Sequence, residues 1–478
     1  MSAAVQLVGL DFGTTTMSAV VAEGRLARNA VTGRTDLDSL EECYRSEMLF
    51  TPIVDDKIDE AAVARQLDRW LELGGVRAER IFGGGALLTG LTAQRDNAAL
   101  LVTLIRARLG NALIATADDP CLESWLAFMG SCAELSRTLP DRCVLNLDIG
   151  GGTTNLALGQ AGEVLRTGCY FVGARHVQLK PGSYHIVRLS RYARALFDHL
   201  GIRKDVAATL TDGEVAGIIT YYFDLLTAAL GGDRRILAEP TARLHEQVAF
   251  RTLTPSSSPR GRGEKFAITL SGGVGELVYA HLDGKPWPAT TAFGDLGIDL
   301  ARRFVTSPFV DDLRRYRPAS AGRATVYGLL RHSTEISGST LYLPNPEMLP
   351  LADMPIVGTI TLMSSDDDVS ELIALAGRCE RGACLRVNVG SHDAAAVRAL
   401  GMRIAAALAT RSFPSARALV LLVSENVGKV LGQYVTRWGA LAVKLMVIDE
   451  VPPRNAQYAR IGVPRQQVVP VSYYGLNE

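Results

Sequence analysis

One pattern occurs twice in this chain and limits what it can fold into. Residues 5–21 read VQLVGLDFGTTTMSAVV, and residues 143–158 read CVLNLDIGGGTTNLAL. Each is an apolar run of strand length, an aspartate, one apolar residue, a glycine turn with threonines, and a second apolar run. Two such runs around a glycine turn predict a β-hairpin. Setting Asp11 on Asp148 puts Phe12 on Ile149 and Gly13 on Gly150. A repeat of this kind predicts two units with similar cores, each presenting the same turn.

The turn chemistry points to an anion. Gly13 and Gly150 open backbone angles closed to other residues and let a ligand approach the main chain. Successive N–H groups in such a turn face one way and form an anion nest. Thr14, Thr15 and Thr153 add hydroxyl donors. Two hairpins facing each other would clamp a polyphosphate from both sides. Asp11 and Asp148 would then share one gap and repel, and hydrated magnesium is the cation that fits between carboxylates. A third segment, FAITLSGGVGEL at residues 266–277, runs from a buried strand into Gly272 and Gly273. A helix is expected from about Glu276, with the glycines letting a flat base lie against backbone.

In this order, LDFGTTT (residues 10–16), LDIGGGTTN (147–155) and LSGGVGEL (270–277) resemble the two phosphate motifs and the adenosine motif of the actin, heat-shock-chaperone and sugar-kinase ATPase superfamily. The resemblance implies an α/β fold. Two actin-like ATPase domains, each a mixed five-stranded sheet with flanking helices, would enclose an ATP cleft, followed by a C-terminal α/β region. The expected divisions are residues 1–142, 143–343 and 344–478. By the same resemblance, Gly13, Thr14 and Thr15 contact the β- and γ-phosphates. Gly150, Gly151, Gly152 and Thr153 do so from the other side. Asp11 and Asp148 hold Mg2+ through water, and one of them orients the attacking water. Gly272, Gly273 and Glu276 border the nucleoside.

Within that superfamily, VGLDFGTTTMSAVV (8–21), IFGGGALLTG (81–90) and DIGGGTTNLAL (148–158) resemble the reactivating factors of ethanolamine ammonia-lyase. The tail from residue 418 is similar more loosely. This implies an ATP-dependent chaperone that releases damaged cobalamin from the stalled lyase so that adenosylcobalamin can enter. It implies the lyase as partner and a cytoplasmic setting, with a bacterial microcompartment of ethanolamine utilization as the more specific one. Oligomeric state stays open. A small-molecule kinase and an actin-like assembly protein controlled by ATP are the alternatives within the superfamily.

One departure bears on catalysis. The superfamily places a glutamate-proline helix before its second phosphate motif, and here the equivalent is Asp119-Pro120. Aspartate is one methylene shorter, so either hydrolysis is slow or another carboxylate serves. The string Glu239-Pro240-Thr241-Ala242 imitates that motif but follows the second phosphate segment, on the wrong side.

The remaining features narrow the class. Lys+Arg and Asp+Glu are both 50, so net charge is zero, which argues against a broad nucleic-acid surface. Seven scattered cysteines read as reduced thiols rather than a disulfide framework. Cys379 and Cys384 lack the further ligands of a zinc site. The start has no basic flank or long apolar region of a signal peptide, so a soluble intracellular protein is expected. Apolar spacing predicts helices over 60–75 and 98–109, with a strand over 78–82 and a turn at Gly83-Gly84-Gly85. Residues 254–265 (TPSSSPRGRGEK) read as a loop. In the tail, strands are expected over 355–363 and 418–423 and a helix over 393–408. Residues 424–430 end in Gly-Lys but fail the Walker pattern and read as a strand–loop–helix turn. Asp198-His199-Leu200-Gly201 has the wrong spacing for base-off cobalamin binding. Asp11→Ala or Asp148→Ala should abolish ATP hydrolysis with the fold intact, and wild-type turnover in both would remove the magnesium assignment.

Overall fold

The computed structural model describes residues 4–13, 16–28, 35–54, 57–89, 95–109, 115–117, 119–232, 234–250, 266–332, 334–338, 340–390, 393–411, 413–465 and 467–476. The loop expected at 254–265 lies outside them. The fold is mixed α/β, as expected, and three sheets carry it.

The first sheet contains β1 (Ala4–Phe12), β2 (Thr16–Arg28), β3 (Thr35–Arg45), β4 (Leu49–Phe50), β5 (Ile81–Leu88) and β6 (Ala115–Ala117). Its order is β3-β2-β1-β5-β6, with β4 on β2, so it has six strands where five were expected. The β1–β2 hairpin is antiparallel, and β5 runs parallel to β1. Alternation along β1 sorts its side chains. Val8, Leu10 and Phe12 pack under helices α1 (Glu60–Leu73) and α2 (Arg95–Leu109), against Leu67, Trp70 and Leu101. Asp59 caps α1 by accepting from Ala62 N–H at 2.9 Å, and Gly74 ends it. The glycine run is not a turn. Gly83, Gly84 and Gly85 lie inside β5, paired with Leu7, Val8 and Gly9. Gly84 has φ +105°, and a Cβ there would strike the Val8 backbone, so glycine is required by close strand packing.

Helix α3 (Pro120–Ser131) then leads to the second sheet. This holds β7 (Val144–Ile149), β8 (Thr154–Gln160), β9 (Glu163–Tyr170), β10 (Glu246–Val248) and β11 (Ala267–Ser271), in the order β10-β9-β8-β7-β11. The antiparallel β7–β8 hairpin with β11 parallel to β7 repeats the β1–β2–β5 arrangement. Leu145, Leu147 and Ile149 face a core shared with helices Arg191–Leu200 and Asp212–Ala229 and with α4 (Gly272–Leu282). Helix α4 starts at once after β11, four residues before the position expected from sequence.

Helix α5 (Ala324–His332) crosses back and packs on the first sheet, with Val326, Tyr327 and Leu330 against Val5 and Leu7. It also lies along α3. No side chain separates them at the crossing. A Cβ on Gly130 would run into the Ala324 carbonyl and Gly328, and one on Gly328 into Leu126.

The third sheet holds β12 (Glu335–Ile336), β13 (Leu351–Thr361), β14 (Gly382–Asn388), β15 (Ala418–Val423), β16 (Lys444–Ile448), β17 (Ala456–Ile461) and β18 (Pro470–Leu476). Its order is β12-β18-β17-β13-β14-β15-β16. Strands β13 to β16 are parallel and β17 is antiparallel to β13. Helices Asp366–Arg378, Ala394–Arg411 and Gly428–Val435 cover one face. The strand and helix expectations for the tail fall on β13, β15 and Ala394–Arg411.

Filling the helix crossing should be destabilising. Gly328→Ala or Gly130→Ala is expected to cost about 1–3 kcal/mol or more by overpacking, read as a lower urea midpoint, and a wild-type midpoint in both would show that the crossing tolerates a side chain.

Candidate functional site

Both hairpin turns close with the same bond. Gly13 N–H donates to the Thr16 carbonyl at 2.9 Å, and Gly150 N–H to the Thr153 carbonyl at 2.9 Å. Thr51 hydroxyl braces the first turn by donating to the Gly13 carbonyl at 2.6 Å. The second turn is braced by Ala174 and Arg175, whose N–H groups donate to the Gly150 and Gly151 carbonyls at 3.0 and 2.7 Å. Among the described residues, the N–H groups of Gly151 and Gly152 have no backbone acceptor. Braced carbonyls and unspent N–H groups are what an anion nest requires.

The two turns and the start of α4 wall one cavity of about 560 Å³. Ten of the sequence-derived site residues line it: Asp11, Gly13, Asp148, Gly150, Gly151, Gly152, Thr153, Gly272, Gly273 and Glu276. Thr14 and Thr15 lie outside the described residues. Gly272 has φ +74° and its missing Cβ leaves room for the Ile149 backbone, whereas a Cβ on Gly273 would meet nothing. Gly273 thus presents bare backbone at the helix N-terminus, where N–H groups attract anions. Phe50 and Phe293, 57% and 40% exposed, also line the cavity. They were not foreseen, because nothing local in sequence distinguishes a cavity-lining phenylalanine from a core one.

The carboxylates explain the role of the crossing helices. Asp11 shares the face of β1 that α5 covers, and Thr325 on α5 donates its hydroxyl to Asp11 at 3.0 Å. Asp148 shares a face of β7 with Asn146. It accepts from Ser271 hydroxyl at 2.6 Å, which in turn accepts from the Asn146 amide at 2.8 Å. A third carboxyl, Glu123, comes from α3 and lines the same cavity. Burial pushes Asp11 up to about 7, with the Asp148 charge adding to the rise and Thr325 opposing it. Burial likewise pushes Asp148 up to about 6, against the Ser271 bond. Glu123 is raised well above the carboxylate range by burial and then by the charges of Asp148 and Asp11. Beside it, the Asn155 side chain opposes that rise. Three buried acids that resist simultaneous ionisation fit a site built around a cation. Among the described residues, no group of three His, Cys, Asp or Glu side chains can hold a metal directly.

Asp119 is not the cavity's third acid. Its Oδ1 caps α3 by accepting from Leu122 N–H at 2.9 Å, and its Oδ2 accepts from Gly475 N–H of β18 at 2.8 Å. Glu123 stands one turn further along the helix. Lys429 is exposed on the helix Gly428–Val435, away from the cavity, and Pro240 begins a short helix that does not line it. Cys384 is buried on β14 and Cys379 stands at a helix end. No described helix is long and apolar enough to cross a membrane.

The raised carboxyl values have a thermal consequence. A folded-state value above the ordinary one near 4 favours the fold at low pH, and that contribution fades as pH rises through the folded value. Asp148→Asn should therefore stabilise the ligand-free protein by roughly 1–3 kcal/mol at neutral pH. Its advantage should grow from about pH 4 up to about 6 and then level off. A Tm difference that is flat or opposite in sign over that range would refute the burial argument.

The sequence matches the family model described as ethanolamine utilisation protein EutA over residues 3–476. The ethanolamine ammonia-lyase reactivase EutA of Escherichia coli (strain K12) is 29% identical over 488 aligned residues, covering 98% of this chain and 97% of that protein. The reactivase of the same name from Salmonella typhimurium is 29% identical over 490, with the same coverage. Among solved structures, the ethanolamine utilization protein EutJ from Carboxydothermus hydrogenoformans aligns with 68% of this chain and 89% of its own, at 13% identity and a TM-score of 0.28. With nearly its whole length matched, the chain belongs to the EutA family of ethanolamine utilisation proteins.

Proposed function

We propose that this protein is an ATP-binding chaperone that reactivates ethanolamine ammonia-lyase, releasing damaged cobalamin so that intact adenosylcobalamin can bind. Family membership supports the partner and the task, since both relatives carry the name of ethanolamine ammonia-lyase reactivase. The observation that carries the nucleotide is the convergence of Asp11, Asp148 and Glu123 on a cavity walled by two braced glycine hairpins. In this reading Gly13, Thr14 and Thr15 hold the β- and γ-phosphates from one side, and Gly150 to Thr153 from the other. Gly272, Gly273 and Glu276 border the nucleoside, with Phe50 and Phe293 available to stack on the base.

Asp11 and Asp148 hold Mg2+ through water. Bound there, the cation supplies the positive charge that lets all three carboxyls ionise. Glu123, once ionised, is the group that accepts a proton from the attacking water, in place of the shorter Asp119. The working unit is a first domain, a second domain that shares the cavity with it, and a C-terminal region. A ligand held by both hairpins favours the arrangement in which both reach it, and its loss relaxes that preference. The setting is cytoplasmic, with the lyase, and in a microcompartment where the pathway is packaged.

The test uses lyase blocked with cyanocobalamin, supplied with this protein, magnesium-ATP and adenosylcobalamin. Deaminase activity should return, and absence of recovery beside a competent control would overturn the reading. Glu123→Gln should keep nucleotide binding and lower ATP turnover by about a hundredfold or more. Unchanged turnover would remove Glu123 from the proton step.

A further inference from the structure

A second cavity, of about 370 Å³, lies between the first and third sheets. Ile81, Phe82 and Leu109 wall one side, and Pro350, Val463 and Pro470 the other. Arg460 of β17 lines it and is only 7% exposed. No described side chain forms an ion pair or hydrogen bond with its guanidinium. Asp353, the one carboxylate whose charge reaches it, already accepts from the Tyr474 hydroxyl at 2.7 Å. What little of Arg460 stays accessible opens to the cavity it lines, and a guanidinium so poorly hydrated gains from an anionic partner. Burial depresses its proton affinity to about 10, in the direction expected of a cation without a counter-charge.

The surroundings favour an anion. Arg465 reaches the cavity from the next turn, with its guanidinium donating to the Glu79 carbonyl. Ser472, directly across the ladder from Arg460, adds a hydroxyl. The Glu79 carboxylate stands exposed at the rim. A planar guanidinium matches carboxylate and phosphate with paired hydrogen bonds, and the apolar walls suit a hydrocarbon body. We propose that this cavity binds a small molecule carrying an oxyanion, carboxylate or phosphate, on an apolar body, with Arg460 as its bidentate anchor. Such a ligand ties the first sheet to the third, away from the nucleotide cavity.

The experiment titrates the full chain with benzoate, phenyl phosphate and inorganic phosphate against sodium chloride at matched ionic strength, reading Tm and affinity. Benzoate or phenyl phosphate should raise Tm more than inorganic phosphate does, and the better of the two identifies the oxyanion. Arg460→Met should abolish that response, with a ligand-free Tm at or above wild type because an unpaired buried charge is gone. Arg460→Lys, which keeps charge without the fork, should weaken binding about tenfold or more. Asp148→Asn should retain the response, which separates this cavity from the nucleotide site. No stabilisation by any probe, or equal stabilisation in Arg460→Met, overturns the proposal. If Arg460→Met does not fold, equal affinity in Arg460→Lys does so.

Discussion

Two helices cross with no side chain between them, at Gly130 and Gly328, and the geometry of the cavity is referred to that crossing. Helix α5 covers the face of β1 that carries Asp11, and α3 covers the face of β7 that carries Asp148. Because the helices touch backbone to backbone, the two aspartates are brought toward one cavity rather than held apart by an intervening layer. The same closeness brings Glu123 from α3 and Thr325 from α5 to that cavity. A third acid and a hydroxyl donor thus come from the elements that join the sheets, while the glycine turns come from the sheets themselves.

The electrostatic consequence is a cluster of carboxyls that burial makes reluctant to ionise together. Burial shifts Asp11, Asp148 and Glu123 each toward the protonated form. Natural proteins keep such arrangements where ligand binding relieves them, so stability and function pull in opposite directions at these positions. Hydrogen bonds from Thr325 and Ser271 to the two aspartates limit the penalty without removing it.

The hairpins were legible in the sequence because strand, turn and ligand chemistry are all local there. Asp11 and Asp148 announce themselves by register with Gly13 and Gly150. Glu123 was hidden one helical turn beyond Asp119, since which face of α3 meets the cavity is set by packing on the second sheet and α5. Gly83 to Gly85 misled for a related reason. Glycine marks both turns and strands pressed against a neighbour, and only the Val8 backbone opposite Gly84 separates the two. The early start of α4 has the same root, because a helix can open on Gly272 when the adjoining strand needs the space. Arg460 carries no local signal at all, as its burial depends on strands and loops remote from it in sequence.

Asp119 spends its two oxygens on two different bodies, one on the first turn of α3 and the other on Gly475 in the last strand. In mechanical terms it is a rivet between the third sheet and the rod that carries Glu123. Coupling through a rivet runs both ways. The last strand is thereby tied to the helix that carries Glu123 one turn on. The shorter side chain that looked like a defect in a catalytic motif is the right length for a joint.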